Sequence, residues 1–177
     1  MRARTVRFIE SFSILASAVI LAASLSFGSA HAASGTIVAL GASHTYGKGV
    51  ARNQAYPAQL EAILRTKGHT VRVINAGING NTTGQMLARM DGAVPRGTSA
   101  VILQPGGNDR RKGEGDTTQN IAEIQARLSA KGVRVIMMEN SMFRGMPKQS
   151  DGQHLTPEGY RMLAEAIAGQ VEGALGR

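Results

Sequence analysis

Apolar and amphipathic segments alternate along the chain from residue 36 onward. Short apolar runs, typical of buried strands, occur at 36–40, 71–74, 100–103 and 133–138. Segments with apolar residues at helical spacing occur at 55–66, 83–90 and 116–130, and a last one begins at Thr156. Strands that alternate with helices through short connectors predict an α/β domain, in which a parallel sheet of four strands is covered by helices on both faces.

The first 32 residues have a different pattern. Three arginines precede an apolar stretch at 11–27, and small residues follow at Ala30-His31-Ala32. This order is typical of a secretory signal peptide, so we predict a leader at 1–32 and a single folded domain at 33–177. The competing interpretation is an uncleaved membrane anchor. Either way, the sequence predicts an exported protein that is periplasmic, secreted or anchored.

Composition and charge exclude several classes of site and partner. The chain has no cysteine, which excludes thiolate nucleophiles and zinc–thiolate sites. Its net charge is +8, and removing a leader with three arginines and one glutamate leaves about +6. The basic residues are scattered apart from Arg110-Arg111-Lys112, and aromatic residues do not interleave with them. We therefore expect no nucleic-acid partner and at most a weak attraction to anionic envelope material.

Polar and glycine-rich segments follow each predicted strand. In parallel α/β sheets, ligands bind at the carboxyl ends of the strands. The segments in that position carry Ser43 within 41–47, Gly80 within 75–82, Asn108 within 106–109, and Asp151 with His154 in the last loop before the final helix. The sequence therefore predicts that these residues meet at one edge of the sheet.

These residue types match the requirements of acyl transfer. A serine such as Ser43 needs a base, for which the neutral imidazole of His154 is well suited. The imidazole in turn needs a carboxylate such as Asp151 to fix its tautomer. A tetrahedral intermediate needs hydrogen-bond donors, which the Ser43 N–H, Gly80 and Asn108 can supply.

Each residue also has a structural interpretation. Ser43 and Asn108 could simply stabilise their turns. Gly80 could be present only because its turn needs the conformational freedom of glycine, and Gly77 would then be the alternative donor. Asp109 and Asp116 also follow a strand end and compete with Asp151 as the acid.

The four segments resemble the sequence blocks of the SGNH hydrolases, also called the GDSL esterase/lipase family. Gly-Ala-Ser-His-Thr-Tyr-Gly at 41–47 resembles the nucleophile block, and 75–82 resembles the block whose glycine donates a backbone N–H. Gly106-Gly107-Asn108-Asp109 matches the G-x-N-D block, and Asp151-x-x-His154 matches the D-x-x-H block. The blocks occur in the family's order and span nearly all of 33–177.

The resemblance implies a three-layer, flavodoxin-like sheet and a Ser43–His154–Asp151 triad. It also implies an oxyanion hole formed by the Ser43 N–H, the Gly80 N–H and the Asn108 side chain, without a metal or other cofactor. Members of the family include esterases, thioesterases, lysophospholipases and carbohydrate deacetylases.

Two features depart from the family pattern. Ala42 stands where the family has aspartate, and His44 stands where it has leucine. Only twelve residues separate Met138 from Asp151, where most members insert a further helix and strand. We therefore expect four strands in a shortened fold, with the acid/base loop arriving directly from the fourth strand.

The combined expectation is a serine hydrolase for small carboxylic esters or thioesters that works through an acyl-enzyme. Two alternatives stay open at this point: an acyltransferase acting on envelope glycans, and a non-catalytic binding protein on the same fold.

Overall fold

A computed structural model describes residues 34–176 of the chain. The predicted leader at 1–32 lies outside the described residues. Within them, four strands form one sheet: β1 (Ser34–Gly41), β2 (Thr70–Gly77), β3 (Thr98–Gln104) and β4 (Arg134–Met137).

The four strands are parallel and lie in the order β2-β1-β3-β4. This is the strand order of a flavodoxin-like sheet without its fifth strand, so the predicted four-stranded fold is confirmed. The register pairs Gly41 with both Gly77 and Gln104. The carboxyl ends of β1, β2 and β3 are therefore level, and the loops that follow them emerge side by side.

In the described part of the chain, six α-helices lie around the sheet. They are α1 (Ser43–Tyr46), α2 (Tyr56–Thr66), α3 (Thr83–Ala93), α4 (Asn108–Lys112), α5 (Thr117–Ala130) and α6 (Pro157–Leu175). Short 3-10 helices occupy Arg52–Gln54 and Asn140–Phe143. The four longer helices are those that the sequence predicts, whereas α1 and α4 were not expected. Both of these short helices begin at a candidate site residue.

The central strand β1 separates two apolar cores. Ile37 and Ala39 face the core formed with α2 and α6, while Val38 and Leu40 face the core formed with α3 and α5. All four side chains are fully buried. This alternation produces the three-layer architecture and fixes β1 as a rigid support for the segment that follows Gly41.

The last helix, α6, begins with a well-formed cap. The Thr156 hydroxyl accepts a hydrogen bond from the Gly159 N–H at 3.1 Å, and Pro157 occupies the first turn. The helix buries Leu163, Ile167 and Val171, the face expected from their spacing. Within residues 34–176, neither α6 nor any other helix combines the length and apolarity that a membrane span requires.

Candidate active site

Ser43 is the first residue of α1, two residues beyond the end of β1, and is 6% exposed. Two glycines allow α1 to pack this closely on the strand ends. A Cβ at Gly41 would lie 2.1 Å from Thr45 Oγ1, and one at Gly77 would lie 2.2 Å from the Tyr46 nitrogen. The serine hydroxyl is thereby held at the carboxyl edge of the sheet.

A continuous hydrogen-bond chain joins Ser43 to His154 and Asp151. His154 Nε2 lies 3.0 Å from Ser43 Oγ, and His154 Nδ1 lies 2.5 Å from Asp151 Oδ2. Because the carboxylate accepts from Nδ1–H, Nε2 is the acceptor for the serine hydroxyl. The structure thus brings together the three residues that the sequence singled out as nucleophile, base and acid.

Asp151 is held as an anion by hydrogen bonds. The His154 imidazole, followed by the backbone N–H groups of His154 and Gln153, keeps the pKa of Asp151 well below its usual value. His154 itself is 4% exposed. A charged carboxylate beside a buried imidazole suits the stabilisation of an imidazolium.

The short segment between β4 and α6 positions this pair through backbone contacts. Lys148 forms an antiparallel bridge with Leu155, and the Gln149 N–H donates to the His154 carbonyl at 2.7 Å. The Gln149 side chain also donates to the carbonyls of Leu155 at 2.7 Å and Lys48 at 2.8 Å. These bonds close residues 149–154 into a compact loop. They replace the support that a fifth strand would give.

Gly80 and Asn108 lie beside the serine. They line a small cleft together with Ser43 and His154. Gly80 has a φ of +75°, and within residues 34–176 its N–H and that of Ser43 have no hydrogen-bond partner. The Asn108 amide donates to the Asn81 carbonyl at 2.7 Å, which leaves its second N–H for a ligand.

The alternative candidates occupy structural positions. The Gly77 N–H donates to Asn75 Oδ1 at 3.0 Å. Unlike the Gly80 N–H, it is therefore not available to a ligand. Asp109 is 1% exposed and accepts from the backbone and hydroxyl of Thr83, which ties the G-x-N-D segment to α3. Asp116 is the residue preceding α5. In the structure, Asp151 is the carboxylate bonded to His154.

Two supporting residues escaped the sequence analysis. Gln104 Oε1 accepts from the Ala42 N–H at 3.1 Å and from the Thr45 hydroxyl at 3.2 Å. Arg89 donates to the Gly41 carbonyl at 3.1 Å. Together they hold the nucleophile segment where Ala42 replaces the family's aspartate. The one available signal was a glutamine at the end of an otherwise apolar strand.

His44 links the nucleophile helix to the acid/base loop. Its Nε2–H donates to the Gln153 carbonyl at 3.1 Å, and its ring centroid lies 4.6 Å from Phe143 and 5.4 Å from His154. Burial is the main cause that lowers the pKa of His44. The imidazole at the second departure from the family pattern is therefore a contact of the loop that carries the base.

A second cleft of about 230 Å³ extends from Ser43 past Ala42 toward the 3-10 helix at Asn140–Phe143. Phe143, Asn140 and Lys148 are among the residues that line it. In residues 34–176, no group of three or more histidine and acidic side chains is arranged to hold a metal ion.

The strand order and the order of the four blocks are those expected of an SGNH hydrolase. A family model described as GDSL-like lipase/acylhydrolase matches residues 39–173. This chain belongs to the GDSL-like lipase/acylhydrolase family.

A relative agrees with that assignment, and two solved structures agree with the fold. Esterase TesA of Pseudomonas aeruginosa is 31% identical over 147 residues, which cover 81% of this chain and 70% of TesA. A crystal structure of TesA superposes with a TM-score of 0.69 at 23% identity, covering 79% of this chain and 99% of that one.

The psychrotrophic esterase EstA from Pseudoalteromonas sp., in a structure inhibited by monoethylphosphonate, has a TM-score of 0.72. It is 16% identical to this chain, and the match covers 81% of this chain and all of that one. At this identity the two superposed structures support the fold alone.

Proposed function

We propose that this protein hydrolyses small carboxylic esters through an acyl-enzyme on Ser43. The single observation that carries the proposal is the unbroken chain from Ser43 Oγ through His154 to Asp151, with separations of 3.0 and 2.5 Å. The esterase names of its relatives point to the same bond type.

In the first half-reaction, His154 Nε2 takes the proton of Ser43 as Oγ attacks the acyl carbon. Asp151 stabilises the resulting imidazolium without taking its proton. The developing oxyanion is bound by the backbone N–H groups of Ser43 and Gly80 and by the second N–H of Asn108.

The tetrahedral intermediate then collapses, and His154 gives its proton to the departing alcohol. A water molecule, deprotonated by the same imidazole, attacks the acyl-enzyme and releases the acid. A thioester would react in the same way with a thiol as leaving group, so thioesterase activity is part of this proposal. The second cleft, of about 230 Å³ and next to Ala42, favours short acyl groups.

The acyl-chain preference is tested with p-nitrophenyl esters from acetyl to palmitoyl. We expect kcat/KM to fall as the chain lengthens beyond what the cleft holds. Faster turnover of palmitoyl than of acetyl or butyryl esters would contradict a small-ester enzyme.

The proposed roles are tested by single substitutions assayed on p-nitrophenyl acetate. Ser43→Ala and His154→Ala should each lower kcat by about 10⁴ or more, and Asp151→Asn by about 10⁴. Ser129→Ala, on the exposed side of α5, serves as the matched serine control and should retain full activity. Wild-type rates in Ser43→Ala would refute the nucleophile assignment.

Product analysis separates the remaining alternatives. In water with an added sugar acceptor, a hydrolase yields free acid, whereas an acyltransferase yields the sugar ester. A non-catalytic binding protein would fold normally and turn over neither substrate.

A further inference from the structure

Three cationic side chains surround the site. Arg111 lines both clefts that meet at Ser43, Lys148 lines the cleft toward Phe143, and Lys48 lines the cleft beside Gly80. None of the described residues that line either cleft is acidic. A ligand at Ser43 is therefore bordered by positive charge on two sides.

The backbone of each lysine is fixed close to the reacting groups. The Lys48 N–H, two residues after the end of α1, donates to the Ser43 carbonyl at 3.1 Å. Lys148 is held by its bridge to Leu155, next to His154 in the chain, and its charge contributes to the lowered pKa of His44. Both ammonium groups therefore project from segments whose position is set by the site itself.

Arg111 is anchored on the amide that we assign to the oxyanion hole. Its guanidinium donates to Asn108 Oδ1, and both residues line the cleft that contains Ser43. That contact uses one of five guanidinium N–H donors and leaves the others for a second acceptor.

Among the described residues, no carboxylate forms an ion pair with either lysine. Several exposed cations elsewhere are paired with carboxylates, among them Lys67 with Glu172 and Lys131 with Asp91. Within residues 34–176, neither Lys48 nor Lys148 forms such an ion pair. Asp151, the carboxylate of the site, is bonded to His154.

We propose that the substrate carries an anionic group, a carboxylate or a phosphate, close to the ester carbonyl, and that Arg111 binds this group together with Lys48 or Lys148. The proposal rests on the ester hydrolysis proposed above and specifies its substrate class. Positive charge around a cleft raises the local concentration of an anionic ester, and the guanidinium offers paired donors to a carboxylate or phosphate.

The test compares anionic esters with neutral ones. For the leaving group, the pair is 3-acetoxybenzoate and its neutral methyl ester, with 3-acetoxyphenyl phosphate as the phosphate arm. For the acyl group, the pair is the p-nitrophenyl half-ester of adipic acid and p-nitrophenyl hexanoate. The quantity measured is the ratio of kcat/KM for the charged ester to that for the neutral ester, after subtraction of the spontaneous rate.

The protein variants are Lys48→Gln, Lys148→Gln and the double variant. Arg96→Gln is the matched control, because this substitution removes the same unit of charge far from the site. Arg96 is exposed and precedes the amino end of β3, at the opposite edge of the sheet. A fold check by circular dichroism accompanies each variant.

We expect the wild-type protein to prefer at least one charged ester. Replacing Lys48 or Lys148, whichever binds the anion, should lower this ratio by about fivefold. Addition of 0.5 M NaCl should also reduce the preference for the charged ester. Arg96→Gln should leave the ratio within about twofold of wild type. The responding pair identifies the side on which the anion binds, and the two acetoxy anions separate carboxylate from phosphate.

Two results would overturn the inference. One is a wild-type ratio at or below one for every charged ester. The other is an equal loss of preference in Arg96→Gln, which would assign the effect to net charge rather than to the cleft. If wild type hydrolyses neutral esters without any preference, only this inference fails; if it hydrolyses no ester, the proposed function fails as well.

Discussion

Replacement of Gln104 tests how the nucleophile segment is held without the family's aspartate. Gln104 is 1% exposed, and its carbonyl oxygen accepts from the buried Ala42 N–H and from the Thr45 hydroxyl. In Gln104→Met the side chain keeps nearly the same length but loses this acceptor. Both donors then stay buried without a partner.

The expected loss follows from those two donors. A buried polar group left unsatisfied costs about 1–3 kcal/mol, so Gln104→Met should lower the free energy of unfolding by about 2–6 kcal/mol. Since Ala42 directly precedes Ser43, the hydroxyl should also lose its register with His154. A misplacement of about 1 Å can lower a rate by about 10²-fold. We therefore expect kcat on p-nitrophenyl acetate to fall by up to about 10²-fold.

The assay is urea unfolding followed by circular dichroism, together with steady-state kinetics. Gln119→Met, at an exposed position of α5, is the matched control and should unfold like wild type. A Gln104→Met protein within about 0.5 kcal/mol of wild type and with unchanged kcat would refute this reasoning.

Four further substitutions test other parts of the account. Gly77→Ala places a Cβ 2.2 Å from the Tyr46 nitrogen and should destabilise by at least about 1–3 kcal/mol in urea unfolding, whereas Gly169→Ala in α6 meets no atom within 4 Å and should stabilise by about 0.5–1 kcal/mol. His44→Leu removes the bond to the Gln153 carbonyl and should lower kcat about tenfold with little change in KM; an unchanged kcat would show that the contact does not position the base. The hydrogen bond from Lys67, then that from His69, lowers the pKa of Glu172 from its usual 4.5, so the stability this carboxylate adds is present above pH 4.5 and is lost as pH falls through its folded value. The stability difference between wild type and Glu172→Gln should therefore shrink on acidification below that pH, and a constant difference from pH 7 to pH 3 would contradict the assignment.

His44 makes the stability of the folded protein depend on pH. Burial lowers the pKa of His44 below 6.5, so the unfolded chain binds this proton more readily than the folded protein does. Its contribution to stability is complete above pH 6.5 and is lost as pH falls from there through the folded pKa. His44→Leu should accordingly show a weaker loss of stability between pH 7 and pH 5 than wild type, as measured by urea unfolding.

The architecture and the grouping of the site residues were accessible from sequence because they follow from short-range patterns. The apolar runs at 36–40 and 100–103 mark buried strands, and parallel strands place their carboxyl ends at one edge. Ser43, Asn108 and His154 each follow such an end or lie just before the next helix, so their proximity was predictable.

The support of the site was not predictable in the same way. Gln104 meets Ala42 across 62 positions, and Arg89 meets Gly41 across 48. Such contacts depend on the packing of whole elements, and no local pattern of the chain encodes them. The helices α1 and α4 are also too short to show a helical period, since each is five residues or fewer.

The loop that carries the base shows a third limit. Twelve residues between Met138 and Asp151 indicated that a strand is missing, yet not how the loop would be held. The answer lies in bonds between Gln149 and three carbonyls, those of His154, Leu155 and Lys48. The backbone and side chain of Gln149 thus hold the loop in place of the missing strand.

The central claim is that the hydroxyl of Ser43 is activated by His154 for attack on an acyl carbon. It is tested most directly by exposing the folded protein to a fluorophosphonate and mapping the modified peptide by mass spectrometry. We expect one phosphonate per chain on the peptide that contains Ser43, no labelling in Ser43→Ala, and much slower labelling in His154→Ala. A folded wild-type protein that stays unlabelled, or that is labelled at another residue, would contradict the account.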